Sequence, residues 1–331
     1  MTTHPYEQLT PDTLLNAIEA CGYLCDGRII ALNSYENRVY QVGIDEQPPL
    51  IAKFYRPGRW SAAAIGEEHH FTQQLAAAEI PVVAPVANER GETLHSYAGF
   101  LFALYPRRGG RAPNLDDPKN LRWIGRFIAR IHAFGATQRF RERPTLSVAH
   151  YGEASFNYLM EHDTIPQPWR DQYRDVVEPL LKMATTALAP FPAKNFIRLH
   201  GDCHPGNILW TDEGGPHFVD FDDSCNGPAI QDLWMLLSGD NLEMSLQLGH
   251  LLRGYRDIEE FDLRQLNLIE PLRALRLIHY SAWLARRWGD PAFPRHFPWF
   301  AEPRYWQEQV QLLREQQQKM AEAPLSPYYD D

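Results

Sequence analysis

The chain has 331 residues and a formal net charge of −10, and 44% of its residues are hydrophobic and 22% charged. This length exceeds the size at which one hydrophobic core usually keeps growing, so we expect two lobes and little disorder. The acidic balance, with no evident basic face, argues against a nucleic-acid or anionic-membrane partner, although a divalent metal ion can still neutralise an anionic nucleotide.

The cysteines and the apolar segments indicate the cellular compartment. The four cysteines are too few and too scattered for a disulfide framework in a chain of this length. The segment "MTTHPYEQLT" lacks the basic and apolar pattern of a signal peptide. No run approaches the roughly 20 apolar residues that span a bilayer. We therefore expect a soluble cytoplasmic protein that does not associate with membranes.

The first hundred residues are predicted to form a small sheet with one inserted helix. Thr10 can cap a short helix that starts at Pro11 and ends before Gly22. The alanine-rich run "AAAIGEEHHFTQQLAAA" favours a second helix. Turn-forming residues separate four segments of strand composition. These segments are residues 38–44, 50–55, 80–86 and 99–105.

The pattern changes after "YPRRGGRAPN", which is rich in proline and glycine. We place a boundary there, between a sheet-rich lobe (1–105) and a helical lobe (106–331), which makes the fold class α+β. Apolar residues recur at helical spacing from Leu121 to Ile131, and Gly135 ends that run. Further helices are predicted at about 168–189, 230–238, 244–255 and 271–288. One exception, "NILWTDEGGPHFVDFDD", reads as a β-hairpin.

The most informative stretch is "RLHGDCHPGNILW", which concentrates polar groups directly before the hairpin. Asp202 is followed five positions later by Asn207, and Asp220 ends the second apolar run of the hairpin. Kinases use this spacing: an aspartate accepts the hydroxyl proton, an asparagine five residues later binds metal, and a further aspartate follows a hairpin. The pattern therefore indicates phosphoryl transfer.

Two segments carry a family resemblance. "HGDCHPGN" resembles the H-G-D-x-H-x-x-N loop of the aminoglycoside-phosphotransferase and choline-kinase-like families, and "GPAIQDLW" resembles their G-P-x-x-x-D-L segment. With "LNSYENRVY" and "DPAFPRHFPWF", the chain looks most similar to the bacterial Ser/Thr protein kinases of this type that act in stress responses. This resemblance covers almost the whole chain. It implies a bilobal protein-kinase-like fold, an ATP-binding N-terminal lobe, and Mg²⁺ and ATP as cofactors.

The resemblance also implies roles for individual residues. Asp202 is the expected catalytic base, and Asn207 and Asp220 are the expected metal ligands, so that Asp220 also takes part in catalysis. His200 is expected to support the loop, and Asp232 to brace it by accepting backbone hydrogen bonds.

The sheet-rich lobe should supply the nucleotide contacts. Lys53 interrupts the apolar strand "LIAKFY", as the phosphate-binding lysine does in V-A-I-K. Its ionic partner is expected on the alanine-rich helix, where Glu67 and Glu68 both qualify by position and Glu68 is preferred. No G-x-G-x-x-G precedes Lys53. The corresponding turn is "NSYENR", and the resemblance points to Ser34 as close to ATP.

The expected reaction is phosphate transfer from ATP to a protein Ser or Thr hydroxyl, including the chain's own, by a monomer. A small-molecule kinase of the choline, homoserine or aminoglycoside type shares the same loop and is the main alternative. A metal-dependent hydrolase built on His200, Asp202 and His204 is a second alternative, but it leaves Asn207 without a role. A non-catalytic nucleotide-binding module is the third.

Overall fold

A computed structural model describes residues 5–329 of the chain. The nine strands within these residues are β1 (Cys25–Ala31), β2 (Arg38–Ile44), β3 (Gln47–Phe54), β4 (His95–Tyr97), β5 (Phe100–Pro106), β6 (Ile197–Leu199), β7 (Ile208–Thr211), β8 (Gly215–Phe218) and β9 (Cys225–Gly227). The same part of the chain contains ten α-helices, which are α1 (Pro11–Glu19), α2 (Ala62–Ala77), α3 (Pro118–Gly135), α4 (Ala154–Glu161), α5 (Trp169–Leu188), α6 (Gln231–Trp234), α7 (Asn241–Tyr255), α8 (Ile269–Arg287), α9 (Ala292–His296) and α10 (Pro303–Ala321).

The described residues form two compact units. The first unit takes in residues up to Pro113 together with Phe140–Arg143 and Pro205–Ser224. The second takes in Asn114–Arg139, Pro144–His204 and the residues from Cys225 onward. The predicted lobe ranges, 1–105 and 106–331, remain a prediction about domains, and residues 1–4 and 330–331 of those ranges lie outside the described residues.

The first unit contains a five-stranded antiparallel sheet in the order β1-β2-β3-β5-β4. Helix α1 begins as predicted, because the Thr10 side chain accepts a hydrogen bond from the backbone N–H of Thr13 at 3.1 Å. Its apolar side joins the core of the sheet, which includes Leu14, Phe54 and Phe102. The predicted hairpin is present as β7 and β8.

The second unit is helical, with one short antiparallel pair, β6 and β9. Its core gathers apolar and aromatic side chains of α5, α8 and α10, among them Tyr173, Ile278 and Trp306. The helix predicted at 230–238 is shorter than expected, since α6 has four residues. Helix α10 and the π-helical turn Ala149–Glu153 were not predicted.

One strand prediction is wrong. Residues 80–86 form no strand, and Val82 makes only an isolated bridge to Phe218 of β8. The segment 80–86 has the composition of a strand. The backbone N–H of Val83, however, bonds the carbonyl of Phe218, and that of Val86 bonds the carbonyl of Leu104, so no continuous ladder forms. The sequence did not predict strands β1 and β4. Both lie at the edges of the sheet, where fewer side chains are buried and the pattern of apolar residues is weaker.

Candidate active site

Lys53 occupies an interior strand of the sheet in the first unit. It lies on β3, opposite Val39 of β2 and Ala103 of β5. Its side chain is only 8% exposed, and Nζ donates to Asp220 Oδ1 at 2.8 Å. Burial lowers the pKa of Lys53, but the nearby carboxylates outweigh this effect and keep the pKa well above its ordinary value. Lys53 is therefore a fixed, fully charged cation.

Asp220 follows β8 in the left-handed backbone conformation, with φ 60° and ψ 63°. Residues other than glycine adopt this conformation rarely, and aspartate tolerates it better than most. The turn leads into the 3₁₀ segment Phe221–Asp223. The Asp220 side chain is 53% exposed, so its carboxylate both touches Lys53 and remains accessible to a ligand.

Asp222, two positions later, has a different environment. Its side chain is 5% exposed and lies 3.3 Å from Lys53 Nζ. Asn37 Nδ2 donates to its carboxylate at 3.1 Å, and Arg59 forms a close ion pair with it. Burial raises the pKa of Asp222, but Arg59 and Lys53 outweigh burial and hold the pKa well below its usual range. Asp222 is therefore an anionic centre that ties separate segments of the first unit together.

The turn between β1 and β2 is held by side chains instead of glycines. Asn37 Oδ1 accepts a hydrogen bond from the backbone N–H of Arg56 at 3.1 Å. Glu36 Oε1 lies 3.8 Å from Nε of both Arg56 and Arg59. Ser34 is half-buried in the same turn. These contacts fix the turn that the sequence suggested for the phosphates, and the contact of Ser34 with ATP stays a prediction.

The two glutamates of α2 have different partners. Glu67 accepts hydrogen bonds from the backbone N–H groups of Arg141, Glu142 and Arg143 at 2.8–3.0 Å. Glu68 is buried, and its Oε2 has no hydrogen-bond partner among residues 5–329. Burial raises the pKa of Glu68 to about 7, against the opposing charge of Lys53. The pairing of Lys53 with Glu68 stays a prediction, because Lys53 bonds Asp220.

A polar network lies beside Lys53 and was not foreseen. Tyr55 OH lies 2.7 Å from His69 Nε2, and Thr93 Oγ1 lies 2.9 Å from His69 Nδ1. Tyr55 OH also lies 3.0 Å from Tyr105 OH. Burial, followed by the charge of Lys53, lowers the pKa of His69 to about 3, so this histidine is neutral. Tyr55 follows β3, His69 lies on α2, Thr93 precedes β4 and Tyr105 lies on β5, so no sequence spacing connects them.

Asn207 ends the 3₁₀ turn Pro205–Asn207, directly before β7. Its backbone carbonyl accepts a hydrogen bond from Val219 N–H at 3.0 Å. The residue before Asp220 is thus bonded to Asn207. Both predicted metal ligands belong to the hairpin of the first unit.

Asp202 belongs to the second unit. Its side chain is 22% exposed, with Oδ1 2.8 Å from Arg276 Nη1 and Oδ2 3.6 Å from His204 Nε2. Burial raises the pKa of Asp202, but the charges of Arg276, His204 and His200 outweigh burial and lower the pKa below its usual range. The carboxylate is therefore ionised at neutral pH and can accept a proton. Arg276, on α8, is a charged partner that sequence reasoning missed.

Asp232 lies beneath the loop that carries Asp202. It accepts hydrogen bonds from the backbone N–H of His200 at 2.9 Å and of Gly201 at 2.8 Å. His132 Nε2 lies 3.0 Å from the same carboxylate, and Tyr255 OH lies 3.1 Å from His132 Nδ1. His132 and Tyr255 come from α3 and α7, so two helices hold the acceptor that fixes this loop.

The donor set fits a magnesium ion. Asn207 and Asp220 offer an amide and a carboxylate oxygen, and Mg²⁺ bound with substrate phosphates typically uses one or two carboxylates. Within residues 5–329, no three His, Cys, Asp or Glu side chains form a cluster suited to a metal ion. The hydrolase alternative requires His200, Asp202 and His204 to form such a cluster.

Two solved structures share the fold of this chain. A solved structure of the amicoumacin kinase hAmiN in complex with AMP-PNP, Ca²⁺ and Ami superposes with a TM-score of 0.70, at 21% identity over 96% of each chain. A microcompartment-associated aminopropanol kinase gives 0.69, at 15% identity over 92% of this chain and 95% of the other. At these identities the likeness shows the fold, which is that of kinase-like phosphotransferases, with a sheet-bearing unit and a helical unit.

Sequence similarity shows the family to which the chain belongs. The chain belongs to the phosphotransferase enzyme family, whose model matches residues 28–269. It is 43% identical to serine/threonine protein kinase RdoA of Salmonella typhimurium (strain LT2), over 98% of both chains. It is also 43% identical to stress response kinase A of Escherichia coli (strain K12), again over 98% of both chains.

Proposed function

We propose that this chain is an ATP-dependent Ser/Thr protein kinase, able to phosphorylate itself, that acts in a bacterial stress response. The observation that carries phosphoryl transfer is the 2.8 Å contact between Lys53 Nζ and Asp220 Oδ1. It brings the candidate phosphate-binding cation beside the candidate metal ligand, the two charged groups that kinases place at the nucleotide phosphates. The protein acceptor and the stress role rest on the relatives that are 43% identical over nearly their full length.

The first unit would hold the nucleotide. Lys53 would contact the phosphates, and the fixed turn at Ser34 would offer a hydroxyl and backbone N–H groups to them. Asn207 and Asp220 would hold Mg²⁺, which neutralises phosphate charge and orients the terminal phosphoryl group. Asp222 would keep the surrounding cations in place without contacting the ligand, since it is buried among them.

The second unit would supply the acceptor side of the reaction. Asp202, held ionised by Arg276 and by its histidine neighbours, would orient the acceptor hydroxyl and accept its proton. Asp232 would hold the loop so that the carboxylate of Asp202 keeps its direction.

Among residues 5–329 no helix has both the length and the apolar character of a membrane span. We place the reaction in the cytoplasm because ATP is available there.

The test is transfer from γ-labelled ATP with Mg²⁺, to the protein itself, to dephosphorylated casein, to myelin basic protein, and to a panel of small amino alcohols and aminoglycosides. Label on the chain or on a protein, lost in Asp202→Asn, supports the proposal. Label on a small molecule alone favours the small-molecule kinase, as the named substrates of the structural neighbours would suggest. Binding of MgATP without any transfer favours a binding module.

A further inference from the structure

A cationic and aromatic surface extends along α8 from the position of Asp202. Arg276, His279 and Arg286 are spaced three to ten residues apart on this helix, and the π-helical turn packs beside it. The rings of His150, Tyr151 and His279 contact one another in sequence, with centroids 5.0 and 4.9 Å apart. We call these five residues the α8 basic face.

The two arginines of this face are held differently. Arg276 is exposed, and one of its N–H groups bonds Asp202 at 2.8 Å, which leaves other donors of the guanidinium directed elsewhere. Arg286 donates to the backbone carbonyl of Ala154 at 3.1 Å and lies 4.8 Å from the centre of the Tyr158 ring. No carboxylate within the described chain lies within 4.0 Å of Arg286. A carbonyl and a ring position this cation without neutralising it.

Arg276 is paired with Asp202, so Arg286 carries the positive charge of the face that remains for a ligand. Burial and the charge of Arg286 lower the pKa of His150, so this imidazole is uncharged at neutral pH. Burial and the charge of Arg287 lower the pKa of Arg286. Arg287 is therefore a further cation close to the face. The same elements carry two glutamates: Glu270 is paired with Arg273 at 3.0 Å, and Glu153 is exposed in the π-helical turn.

The length of the α8 basic face determines how far apart two side chains of a bound peptide must be to reach both of its ends. Ten residues of α-helix separate Arg276 from Arg286, which corresponds to about 15 Å. An extended peptide rises about 3.3 Å per residue, so this distance spans four or five residues. A hydroxyl oriented by Asp202 and an acidic side chain four or five positions away would therefore meet Asp202 and Arg286 together. A positively charged acceptor would instead be repelled by Arg276, which lies beside Asp202.

We propose that the α8 basic face binds the acceptor segment and selects Ser or Thr residues that have an acidic side chain four or five positions away. The occupant is an extended, acidic protein segment, chosen because its charge complements the face. This inference rests on the proposed protein-kinase function and adds a specificity to it.

The experiment uses three peptides with one serine, identical except for Glu, Gln or Lys placed four and five residues to either side of it. Fluorescence anisotropy measures binding of each labelled peptide to the full-length protein. Transfer from labelled ATP gives KM and kcat. We expect the Glu peptide to bind about fivefold more tightly than the Gln peptide, the scale of one partly exposed ion pair, and the Lys peptide to bind more weakly.

Variants locate the effect. Arg286→Glu should remove the preference for the Glu peptide and favour the Lys peptide. Arg314→Glu, on the exposed side of α10, is the matched control and should keep the wild-type preference. Arg286→Gln, checked by its melting temperature, separates charge loss from misfolding.

Equal binding of the three peptides to the wild-type protein overturns the inference, whether or not phosphate is transferred. The same preference retained in folded Arg286→Glu overturns it as well. Failure of transfer to any protein or peptide, with the Glu preference in binding intact, counts against the kinase proposal and leaves the peptide specificity standing.

Discussion

Asp220 and Asp222 differ in exposure, and we assign them different tasks on that basis. Both side chains reach Lys53, at 2.8 and 3.3 Å, but only Asp220 is accessible from outside. Asp222 is surrounded by Arg59, Asn37 and Lys53. An accessible carboxylate suits a metal ligand, and a buried one with several cationic partners suits a structural anchor.

We therefore expect Asp220→Ala and Asp222→Ala to fail in different ways. Asp220→Ala should fold and lose Mg²⁺-dependent nucleotide binding, because the metal loses its carboxylate. Asp222→Ala should lose about 3–5 kcal/mol of stability, since it leaves buried cations without their anion. Calorimetric titration with nucleotide, in Mg²⁺ and in EDTA, and denaturant unfolding separate the two. Mg²⁺-dependent binding that survives in Asp220→Ala and disappears in a folded Asp222→Ala would reverse the assignment.

Asp202 tests the chemical step. Asp202→Asn keeps the size of the side chain but cannot accept the hydroxyl proton, so we expect kcat to fall by about 10²–10⁴ with the KM for ATP little changed. Steady-state transfer to the chain's own hydroxyls or to a protein acceptor measures this. Asp212→Asn, in the exposed turn of the hairpin, is a matched control that should keep full activity. Near-normal kcat in folded Asp202→Asn would exclude this aspartate as the base.

At the scale of single elements, Glu68 on α2 makes stability depend on pH. Its folded pKa of about 7 exceeds its ordinary value of 4.5, because burial disfavours the charged form more than Lys53 favours it. The folded state therefore binds this proton more strongly than the unfolded state does. The associated stability is present below pH 4.5 and is lost as the pH rises to about 7, an effect of about 3 kcal/mol.

Glu68→Gln should remove this dependence. Since Gln carries no charge at any pH, the variant should gain stability over the wild type at pH 8 and gain little at pH 5. Denaturant unfolding at the two pH values measures the difference. Glu79→Gln, an exposed change just beyond α2, should alter neither value. If Glu68→Gln destabilises the protein at pH 8, then the ionised carboxylate contributes more through Lys53 than it costs by burial.

The elements that the sequence predicted are those with a strong local signal. Helix α3, the hairpin and strand β2 have clear periodicity or turn residues, and the structure has each of them. Residues 80–86 have the composition of a strand, yet their backbone groups bond separate neighbours. Composition indicates that a segment can adopt a strand, whereas strand pairing also depends on the neighbouring segments in the fold.

The candidate site divides in the same way. The spacing of Asp202, Asn207 and Asp220 is local, so the loop and hairpin could be found in the sequence. The partners Arg59 and Arg276 are more than 70 positions from the aspartates that they contact. No spacing rule connects such pairs, and a single arginine in a sequence is usually a solvated charge. Only the fold brings these charges together.

At the scale of the whole molecule, the first unit is built from three separate stretches of the chain. Phe140–Arg143 and Pro205–Ser224 belong to it as much as the residues up to Pro113 do. Arg143 donates to the backbone carbonyls of Ser224, at 2.9 Å, and of Asp222. The N-terminal stretch alone therefore contains Lys53 and Arg59 but lacks Asp220 and Asp222, the carboxylates that bond them.

A fragment ending at Pro113 should accordingly fail to form this unit. Lys53 and Arg59 would be left without Asp220 and Asp222, and an uncompensated buried charge is strongly destabilising. We expect the fragment to show no cooperative thermal transition and no nucleotide binding, as measured by circular dichroism and titration. Adding the separately expressed remainder, 114–331, should restore both if the two pieces assemble. A fragment that folds and binds MgATP alone would instead mean that the sheet and α1 suffice, and that the hairpin contributes only to catalysis.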